Sequence, residues 1–337
     1  MGVTVGVFGA TGSVGQELIK VLADRKFPVG SLRLFASERS AGKAVETPFG
    51  NITIEDANST DFSGIGLAFF AIGGGWPKEK APQAIAAGCY VIDNSSAFRY
   101  DDNVPLVVPE INADAIGDSH LIANPNCTTA IAAIPLWQLH QKYGLKKVFI
   151  STYQSTSGAG AKGMQELETE TRNHLDGKPP SHEAFQHPIA FNVIPHIDSF
   201  GENGYTREEM KVVWETRKIF GGVDIPISCT CVRIPTFRAH AESIVVETEK
   251  PASPEEVRDL FANTPGIVLK DSPAENVYPM PLTASNNYDV EVGRVRRNLV
   301  FGDHGIEFFV CGDQLLKGAT LNAVQIAEAL IEKGVFK

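Results

Sequence analysis

The segment Gly9-Ala10-Thr11-Gly12-Ser13-Val14-Gly15 decides the fold of the first part of the chain. It follows an apolar run, Val3 to Phe8, that predicts a strand, and it opens a run, Gln16 to Arg25, that predicts a helix. Glycines at such a turn let the backbone approach a pyrophosphate, and the N–H groups of the first helical turn attract its charge. The spacing of the glycines is by itself a weak signal. The position of this segment directly after the first predicted strand favours a dinucleotide site over a plain glycine-rich turn.

Beyond this turn, apolar strand-like runs keep alternating with helical runs. The alternation predicts a parallel sheet covered by helices, so we expect an α/β fold that begins with a Rossmann-type domain. The runs are Leu32 to Ala36, Leu67 to Ile72, Pro77 to Ala87 and Tyr90 to Asp93.

After about residue 145 the pattern changes to longer strands and well-marked helix starts, which predicts a second domain of α+β type. Thr206 with Glu209 predicts a capping box. Ser253 with Pro254 and Glu256 predicts a second capped helix with a reciprocal glutamate. The stretch from Asp176 to His187 has little periodicity and two adjacent prolines, so it predicts a surface loop.

Composition excludes several classes of protein. Apolar residues make up 43% and charged residues 21% of the 337 residues, which excludes a disordered or low-complexity chain. The net charge of −10 argues against a nucleic-acid groove. No apolar run is long enough to span a membrane, and the start of the sequence lacks a secretory signal. Five cysteines are too few for a disulfide framework, so we expect a reducing, cytoplasmic location.

The residues after the second predicted strand bear on the cofactor. The stretch is Ser37-Glu38-Arg39-Ser40, where NAD-binding domains usually carry an acidic residue that holds the ribose hydroxyls. A guanidinium flanked by two hydroxyls suits a 2′-phosphate, which favours NADP. Glu38 leaves NAD as an alternative, and an ordinary solvated loop is the third reading.

Cys127 is the cysteine best placed for chemistry. It lies in Asn124-Pro125-Asn126-Cys127-Thr128-Thr129, directly before an apolar helical run, so it is predicted in the first helical turn, where a thiolate is stabilised. The other cysteines read as buried apolar residues, and they have no spacing typical of zinc ligands, so no metal site is predicted. They are Cys89, Cys229, Cys231 and Cys311.

Taken together, eight blocks of sequence resemble the aspartate-semialdehyde dehydrogenase family over almost the whole chain. Their number and order are more specific than any single motif. They are GATGSVG at the start, NSSAFR from Asn94, NPNCTT around Cys127, TYQSTSGAGAKGMQEL from Thr152, FNVIPHID from Phe191, EEMK from Glu208, CVRIPTFRAHAES from Cys231 and the terminal GATLNAVQIAEAL.

The resemblance implies an enzyme that converts aspartyl 4-phosphate and NADPH to aspartate 4-semialdehyde, NADP and phosphate, on the route to lysine, methionine, threonine, isoleucine and diaminopimelate. It implies that Cys127 is the nucleophile that forms a thioester, that His240 is the acid/base and that Gln154 orients the substrate. It further implies a cytoplasmic homodimer.

The substrate carries a carboxylate, an ammonium group and a phosphate, and the resemblance implies a partner for each. Arg233 matches the carboxylate-binding arginine and Glu208 the partner of the ammonium group. Asn126 is assigned to the substrate beside the cysteine. On spacing alone, Glu208 and Lys211 fit an ordinary i,i+3 surface ion pair better than a functional pair. Phosphate-binding is assigned to Arg99, Lys211 and Ser96.

The resemblance also assigns the cofactor site and the domain boundaries. The first domain is predicted over 1–127 and is completed by the C-terminal segment 313–337, while 128–312 form the catalytic and dimerisation domain. Trp76 departs from the family pattern, because small residues are expected there near the cofactor. The cofactor-binding residues are Gly9, Thr11, Gly12, Ser13, Val14, Ser37, Arg39, Ser40, Ser157, Gly158 and Gln314.

Two alternatives remain. N-acetyl-glutamyl-phosphate reductase shares the GATG opening and the thioester chemistry, but its cysteine has a glycine before it and an aromatic residue after it, unlike Asn126 and Thr128 here. The second alternative is a catalytically silent paralogue that binds NADP. A silent chain has no physical reason to keep all four candidate catalytic and substrate residues, so their joint retention argues against it. The four are Cys127, Gln154, Arg233 and His240.

Overall fold

The computed structural model describes residues 2–336, which form two compact units. The first unit contains the residues up to Asn126 together with those from Gly318 onward, and the second is Cys127–Lys317. Met1 and Lys337, the ends of the predicted first domain, lie outside the described residues. No helix within residues 2–336 is long and apolar enough to cross a membrane.

Strands and helices alternate in the first unit, while the second is richer in long strands. The strands are β1 Val3–Phe8, β2 Val29–Ala36, β3 Ala44–Thr47, β4 Gly50–Asp56, β5 Leu67–Phe70, β6 Tyr90–Asp93, β7 Leu121–Ala123, β8 Leu145–Gln154, β9 Ile227–Arg233, β10 His240–Thr248, β11 Ile267–Leu269, β12 Val290–Arg297 and β13 Gly305–Gly312. The helices are α1 Ser13–Asp24, α2 Trp76–Ala86, α3 Pro109–Asn112, α4 Cys127–Tyr143, α5 Gly160–Leu175, α6 Arg207–Ile219, α7 Pro254–Ala262, α8 Pro281–Ala284 and α9 Leu321–Glu332.

The sheet of the first unit has the strand order β3-β4-β2-β1-β5-β6-β7 and is parallel except for the β3–β4 hairpin. This confirms the α/β fold class. The hairpin was not predicted, because its strands are short and largely half-exposed and lack a strong apolar pattern. β1 pairs with β2 on one side and β5 on the other, so the chain reverses its winding direction at β1, where parallel sheets bind nucleotides.

An aromatic cluster fills the core beside this sheet. Phe8 stacks on Phe35 with ring centroids 4.2 Å apart, and Phe70 meets the indole of Trp76 edge-on at 4.9 Å. The indole Nε1 donates a hydrogen bond to the Asn58 side chain over 3.0 Å. The size of Trp76, which departs from the family pattern, is therefore accommodated by packing in this cluster.

The second unit contains a mixed six-stranded sheet of order β11-β12-β13-β10-β8-β9. Along β8, buried and exposed side chains alternate, so one face of the strand is buried, as expected for a sheet covered on one side. Gln154 pairs with Arg233 across β8 and β9, and Ala241 pairs with Tyr153 across β10 and β8. The register therefore gathers Gln154, Arg233 and His240 at one end of the sheet.

The two predicted helix caps differ in outcome. The capping box of α6 is confirmed, because the Thr206 side chain accepts from the Glu209 N–H while the Glu209 carboxylate accepts from the Thr206 N–H. At α7 the Ser253 side chain accepts from the Glu256 N–H, as predicted. The reciprocal glutamate was wrong, since Glu256 instead accepts a hydrogen bond from the Tyr143 hydroxyl over 3.4 Å.

Candidate active site

Cys127 is the first residue of α4, which begins directly after the Asn124-Pro125-Asn126 segment. Its side chain is partly exposed, whereas the other four cysteines are buried, as predicted for them. The Cys127 Sγ atom lies 3.5 Å from Nε2 of His240. A partly exposed thiol at a helix N-terminus beside an imidazole is the arrangement that activates cysteine nucleophiles.

His240 is the first residue of β10 and is fully buried. Its Nδ1 atom accepts a hydrogen bond from the Ser155 backbone N–H at 3.2 Å and lies 3.1 Å from the Ser155 hydroxyl oxygen. Burial, and secondly the positive charge of Arg233, lower the pKa of His240 well below its usual value. The imidazole is therefore neutral near neutral pH.

The backbone just before His240 is held in an uncommon conformation. Ala239 has a φ of 65°, a region in which residues other than glycine are strained. Its N–H donates to the Gln314 side-chain oxygen over 2.8 Å, and the Gln314 amide nitrogen donates to the Ser157 hydroxyl. The adjoining Asp313 carboxylate is buried and accepts from Arg238. These contacts fix the entry of β10 and with it the orientation of the imidazole.

Gln154, at the end of β8, is held at both ends of its amide. Its oxygen accepts from the Thr152 hydroxyl over 3.0 Å, and its nitrogen donates to Glu208 over 3.2 Å. All three side chains are buried. The strand glutamine is thus tied to the helix α6 that carries the predicted ammonium-binding glutamate.

Arg233 is buried at the end of β9, and its Nη1 atom donates to the Ser155 carbonyl over 2.7 Å. The guanidinium lies against Gly158, in space that a side chain at that position would enter. A Cβ atom built on Gly158 would lie 2.6 Å from Nη1 of Arg233 and 3.4 Å from Cε1 of His240. Gly158 therefore has a packing reason in addition to its predicted place at the cofactor.

Glu208 and Lys211 lie on the same face of α6, and the ammonium nitrogen is 3.1 Å from Glu208 and 2.7 Å from Asp198. Only 14% of the Lys211 side chain is exposed, so this is not a solvated surface pair. Burial acts to lower the pKa of Lys211, but the two carboxylates outweigh it and raise that pKa above its usual value. The lysine stays charged between two acidic groups.

Some residues of this cluster were not identified from the sequence. Asp198 lies 13 residues before Lys211, outside helix α6, and the backbone of Ser155 acts through atoms that every residue shares. The Phe185 ring, 5.8 Å from the Arg233 guanidinium, comes from the predicted loop after α5. Their roles depend on tertiary contacts, which leave no local signal in the sequence.

The other predicted phosphate and substrate residues belong to the first unit. The buried Arg99 donates from Nε to the Asn124 carbonyl over 2.8 Å and from Nη2 to the Asn94 carbonyl over 2.9 Å. Ser96 is exposed in the same loop, and Asn126 is buried beside the start of α4. Arg99 is thus fixed against the chain segment that leads to Cys127.

The predicted dinucleotide turn, Gly9 to Gly15, joins β1 to α1. Gly9 has a φ of 92°, and its N–H donates to the Phe35 carbonyl at the end of β2. A Cβ atom on Gly15 would lie 2.3 Å from the Gly9 carbonyl oxygen, so this helix can pack against the turn only without a side chain there. Thr11 and Gly12 are exposed at the start of α1, where backbone N–H groups favour an anion.

The stretch that bears on the choice between NADP and NAD forms an exposed turn after β2. The Ser40 N–H donates to the Ser37 carbonyl over 2.8 Å, which closes the turn. Glu38 and Arg39 are both exposed on it. An exposed guanidinium flanked by serines remains available to a 2′-phosphate, and Glu38 remains available to ribose hydroxyls.

The second unit therefore brings together most of the predicted chemistry in one connected cluster, while the dinucleotide turn and Arg99 belong to the first. Within residues 2–336, no group of three or more His, Cys, Asp or Glu side chains is arranged to hold a metal ion. The connected residues are Cys127, Gln154, Ser157, Gly158, Glu208, Lys211, Arg233, His240 and Gln314.

Two family models match this chain. One, described as the NAD binding domain of semialdehyde dehydrogenase, matches residues 4–119, and the other, described as the dimerisation domain of semialdehyde dehydrogenase, matches residues 136–317. Fold, cysteine site and family models together define a semialdehyde dehydrogenase that uses a nicotinamide cofactor.

Comparison with characterised proteins narrows this class. An aspartate-semialdehyde dehydrogenase of Aquifex aeolicus (strain VF5) is 48% identical over 99% of this chain and 100% of its own length. Another, from Synechocystis sp. (strain ATCC 27184 / PCC 6803 / Kazusa), is 44% identical over 98% of both. The crystal structure of aspartate semialdehyde dehydrogenase II from Vibrio cholerae, complexed with ASA, matches at 42% identity with a TM-score of 0.95, covering 98% of this chain and 99% of that one. The chain belongs to the aspartate-semialdehyde dehydrogenase family.

Proposed function

We propose that this protein interconverts aspartyl 4-phosphate and aspartate 4-semialdehyde in an NADP-dependent and phosphate-dependent reaction. The observation that carries the proposal is the pairing of Cys127 Sγ with His240 Nε2 at 3.5 Å, at the N-terminus of α4. Amino-acid recognition is supported by Arg233 and Glu208, which belong to the same connected cluster.

Cys127 is the proposed nucleophile. Its thiolate attacks the acyl carbon of aspartyl 4-phosphate, phosphate leaves, and a thioester bond to the sulfur remains. When bound, NADPH supplies the hydride that reduces this thioester to the aldehyde level. The carbon–sulfur bond then breaks, which releases aspartate 4-semialdehyde and restores the thiolate. His240 is the proposed group that moves protons at the reacting oxygen and sulfur.

The substrate is proposed to be held at both ends. Arg233 offers a planar guanidinium to the α-carboxylate, and Glu208 offers a carboxylate to the α-ammonium group. Gln154 orients the substrate, and Asn126 contributes beside the cysteine. For phosphate we propose Lys211, Arg99 and Ser96; an arriving phosphate must compete with Asp198 for the Lys211 ammonium group, which lies 2.7 Å from that carboxylate.

The residues present fit a dinucleotide. Thr11 and Gly12 are exposed at the start of α1, where the backbone N–H groups of a helix favour an anion, and Arg39 is an exposed cation after β2. We propose that Gly9, Thr11, Gly12, Ser13 and Val14 hold the pyrophosphate. The turn residues Ser37, Arg39 and Ser40 would take the 2′-phosphate, and Ser157, Gly158 and Gln314 the nicotinamide end.

We further propose a homodimer and a place in the biosynthesis of lysine, methionine, threonine, isoleucine and diaminopimelate. The family model for the dimerisation domain supports the dimer. The predicted boundaries, 1–127 with 313–337 and 128–312, are retained as the proposed division between cofactor domain and catalytic domain. The cytoplasmic location stays a prediction from the sequence.

The decisive experiment is an assay of NADPH formation with aspartate semialdehyde, with and without inorganic phosphate. We expect turnover that requires phosphate and is faster with NADP than with NAD. Cys127→Ser is expected to keep cofactor binding and to lose nearly all turnover, because a hydroxyl has no comparable anion population near neutral pH. N-acetylglutamate semialdehyde is the control substrate, and faster turnover with it would replace the proposal by the reductase alternative.

A further inference from the structure

The Ser155 backbone N–H and hydroxyl both lie within hydrogen-bond distance of Nδ1 of His240. The Ser155 backbone N–H can only donate, and it points at Nδ1 of His240 over 3.2 Å. Nδ1 must therefore be an acceptor and cannot carry a proton. Because burial and Arg233 keep the imidazole neutral, its single ring proton belongs on Nε2, which lies 3.5 Å from Cys127 Sγ.

The hydroxyls of Ser155 and Ser157 continue this series of hydrogen bonds with the same donor-to-acceptor direction. The Ser155 hydroxyl lies 3.1 Å from the same Nδ1 atom, and it can interact favourably with an acceptor only by donating. Its oxygen, 3.0 Å from the Ser157 hydroxyl, is then the acceptor for the Ser157 proton. All the polar side chains in this sequence of contacts are buried, so water does not offer them other partners.

Gln314 fixes the direction of the hydrogen bonds at the end of this series that lies farthest from His240. Its side-chain oxygen accepts from the Ala239 backbone N–H over 2.8 Å, and this contact distinguishes the oxygen of the amide from its nitrogen. The amide nitrogen, a donor only, consequently faces the Ser157 hydroxyl. The direction deduced from His240 and the direction deduced from Gln314 therefore agree at Ser157.

We propose that Gln314, Ser157 and Ser155 form a one-way chain of hydrogen bonds that holds the proton of His240 on Nε2, facing Cys127. In the resting enzyme His240 is then a hydrogen-bond donor to the cysteine sulfur, and the thiolate is the form that accepts best. Ser155 is a positioning residue, since it acts through His240. The inference rests on the proposed function and deepens the role of His240 in it.

The first test measures the tautomer directly. The protein is labelled with [15N]histidine, and the signals of His240 among the eight histidines are assigned by their loss in His240→Asn. In the unsubstituted protein near neutral pH we expect a proton on Nε2 and none on Nδ1. A proton on Nδ1, or a doubly protonated ring, overturns the proposal. This test requires no substitution of Gln314, Ser157 or Ser155.

The second test measures the reactivity of Cys127. Ser155→Ala removes one donor to Nδ1, while the matched control Thr156→Val removes a buried hydroxyl of the same turn that donates to the Thr236 carbonyl over 2.9 Å. Iodoacetamide labelling of Cys127, located by peptide mass, is expected to slow about five- to tenfold in Ser155→Ala, the effect of one hydrogen bond, and less than about twofold in the control.

The Ser155→Ala variant keeps the backbone N–H that donates to Nδ1, so equal rates in the two variants would overturn the role of the Ser155 hydroxyl and with it the proposed chain of hydrogen bonds. Thermal unfolding of both variants shows whether their stability losses are matched. Neither test uses a semialdehyde, phosphate or a nicotinamide cofactor. A failure of the proposed enzymatic function in the turnover assay is therefore distinguishable from a failure of the hydrogen-bond chain.

Discussion

Two strand-to-helix turns each contain a glycine at which a Cβ atom would lie too close to a neighbouring atom, for different reasons. In the turn after β1, a Cβ atom on Gly15 would strike the Gly9 carbonyl oxygen at 2.3 Å, a contact within one short segment. In the turn after β8, a Cβ atom on Gly158 would lie 2.6 Å from Nη1 of Arg233, a residue brought in by another strand. The first turn is shaped by its own backbone, and the second by side chains from distant parts of the sequence.

This difference separates binding from chemistry. The turn after β1 presents backbone N–H groups, which suit an anion whatever the side chains are. The turn after β8 presents the backbone and hydroxyl of Ser155 to His240 and its carbonyl to Arg233. Damage to the first turn is expected to act on stability and cofactor affinity, and damage to the second on the catalytic rate.

Among the substitutions that test this comparison, the largest effect is expected from Gly158→Ala. The new methyl group would displace the Arg233 guanidinium and crowd His240, and a displacement of about 1 Å at a reacting site costs about 100-fold in rate. Steady-state kinetics with semialdehyde and phosphate measure the loss, and circular dichroism confirms folding. Unchanged turnover in a folded variant would show that the close approach to Arg233 has no catalytic role.

Next in size is the effect of Arg39→Ala on cofactor choice. If the guanidinium holds the 2′-phosphate, its removal should raise KM for NADP by about tenfold to a hundredfold, the loss of one charged hydrogen bond, and change KM for NAD much less. Glu38→Gln, on the same exposed turn, is the control and should leave KM for NADP nearly unchanged. Equal losses for both cofactors in Arg39→Ala would contradict the assignment.

Gly15→Ala tests the first turn as a structural element. Because the clash is with backbone atoms that cannot rotate away, the free energy of unfolding should fall by about 1–3 kcal/mol, the usual cost of overpacking. Urea unfolding without cofactor measures it. A variant as stable as the unsubstituted protein would mean that α1 shifts freely, and the turn would not be as constrained as its contacts indicate.

The smallest effect on stability is expected from Gly12→Ala, three residues earlier in the same turn. A Cβ atom there would lie 3.4 Å from the Gly9 carbonyl oxygen, an ordinary contact, and the φ of −80° suits alanine. We expect the free energy of unfolding to change by less than about 0.5 kcal/mol. Cofactor affinity should nevertheless fall if a pyrophosphate lies against this residue, and calorimetric titration with NADP separates the two effects.

A local feature could be predicted where the residues that stabilise it lie within one short segment of the sequence. The strand β6 was predicted at Tyr90–Asp93 and is found there, and the Thr206 capping box lies within four successive residues. Helix α1 begins at Ser13 rather than at the predicted Gln16, because the glycine turn itself supplies its first residues. Glu256 failed as a reciprocal cap because a distant residue, Tyr143, offers its carboxylate another partner.

Family resemblance identified the side chains of the candidate site, but not the contacts between them. Cys127, Gln154, Arg233 and His240 are named by sequence blocks. The lysine between two carboxylates depends on Asp198, which no block marks as its partner. The tautomer of His240 depends on a backbone N–H of Ser155, and backbone donors have no signature in a sequence.

By itself, the sequence determined the α/β class, the glycine turn after β1 and the family, because periodicity, turn chemistry and ordered motifs are properties of the chain alone. Only the tertiary structure decided which atoms face one another in the cluster around Cys127. Sheet register brings β8, β9 and β10 together, so that Ser155 meets both Arg233 and His240. The physical reason is that hydrogen-bond direction and close packing are fixed by three-dimensional neighbours, which sequence separation does not reveal.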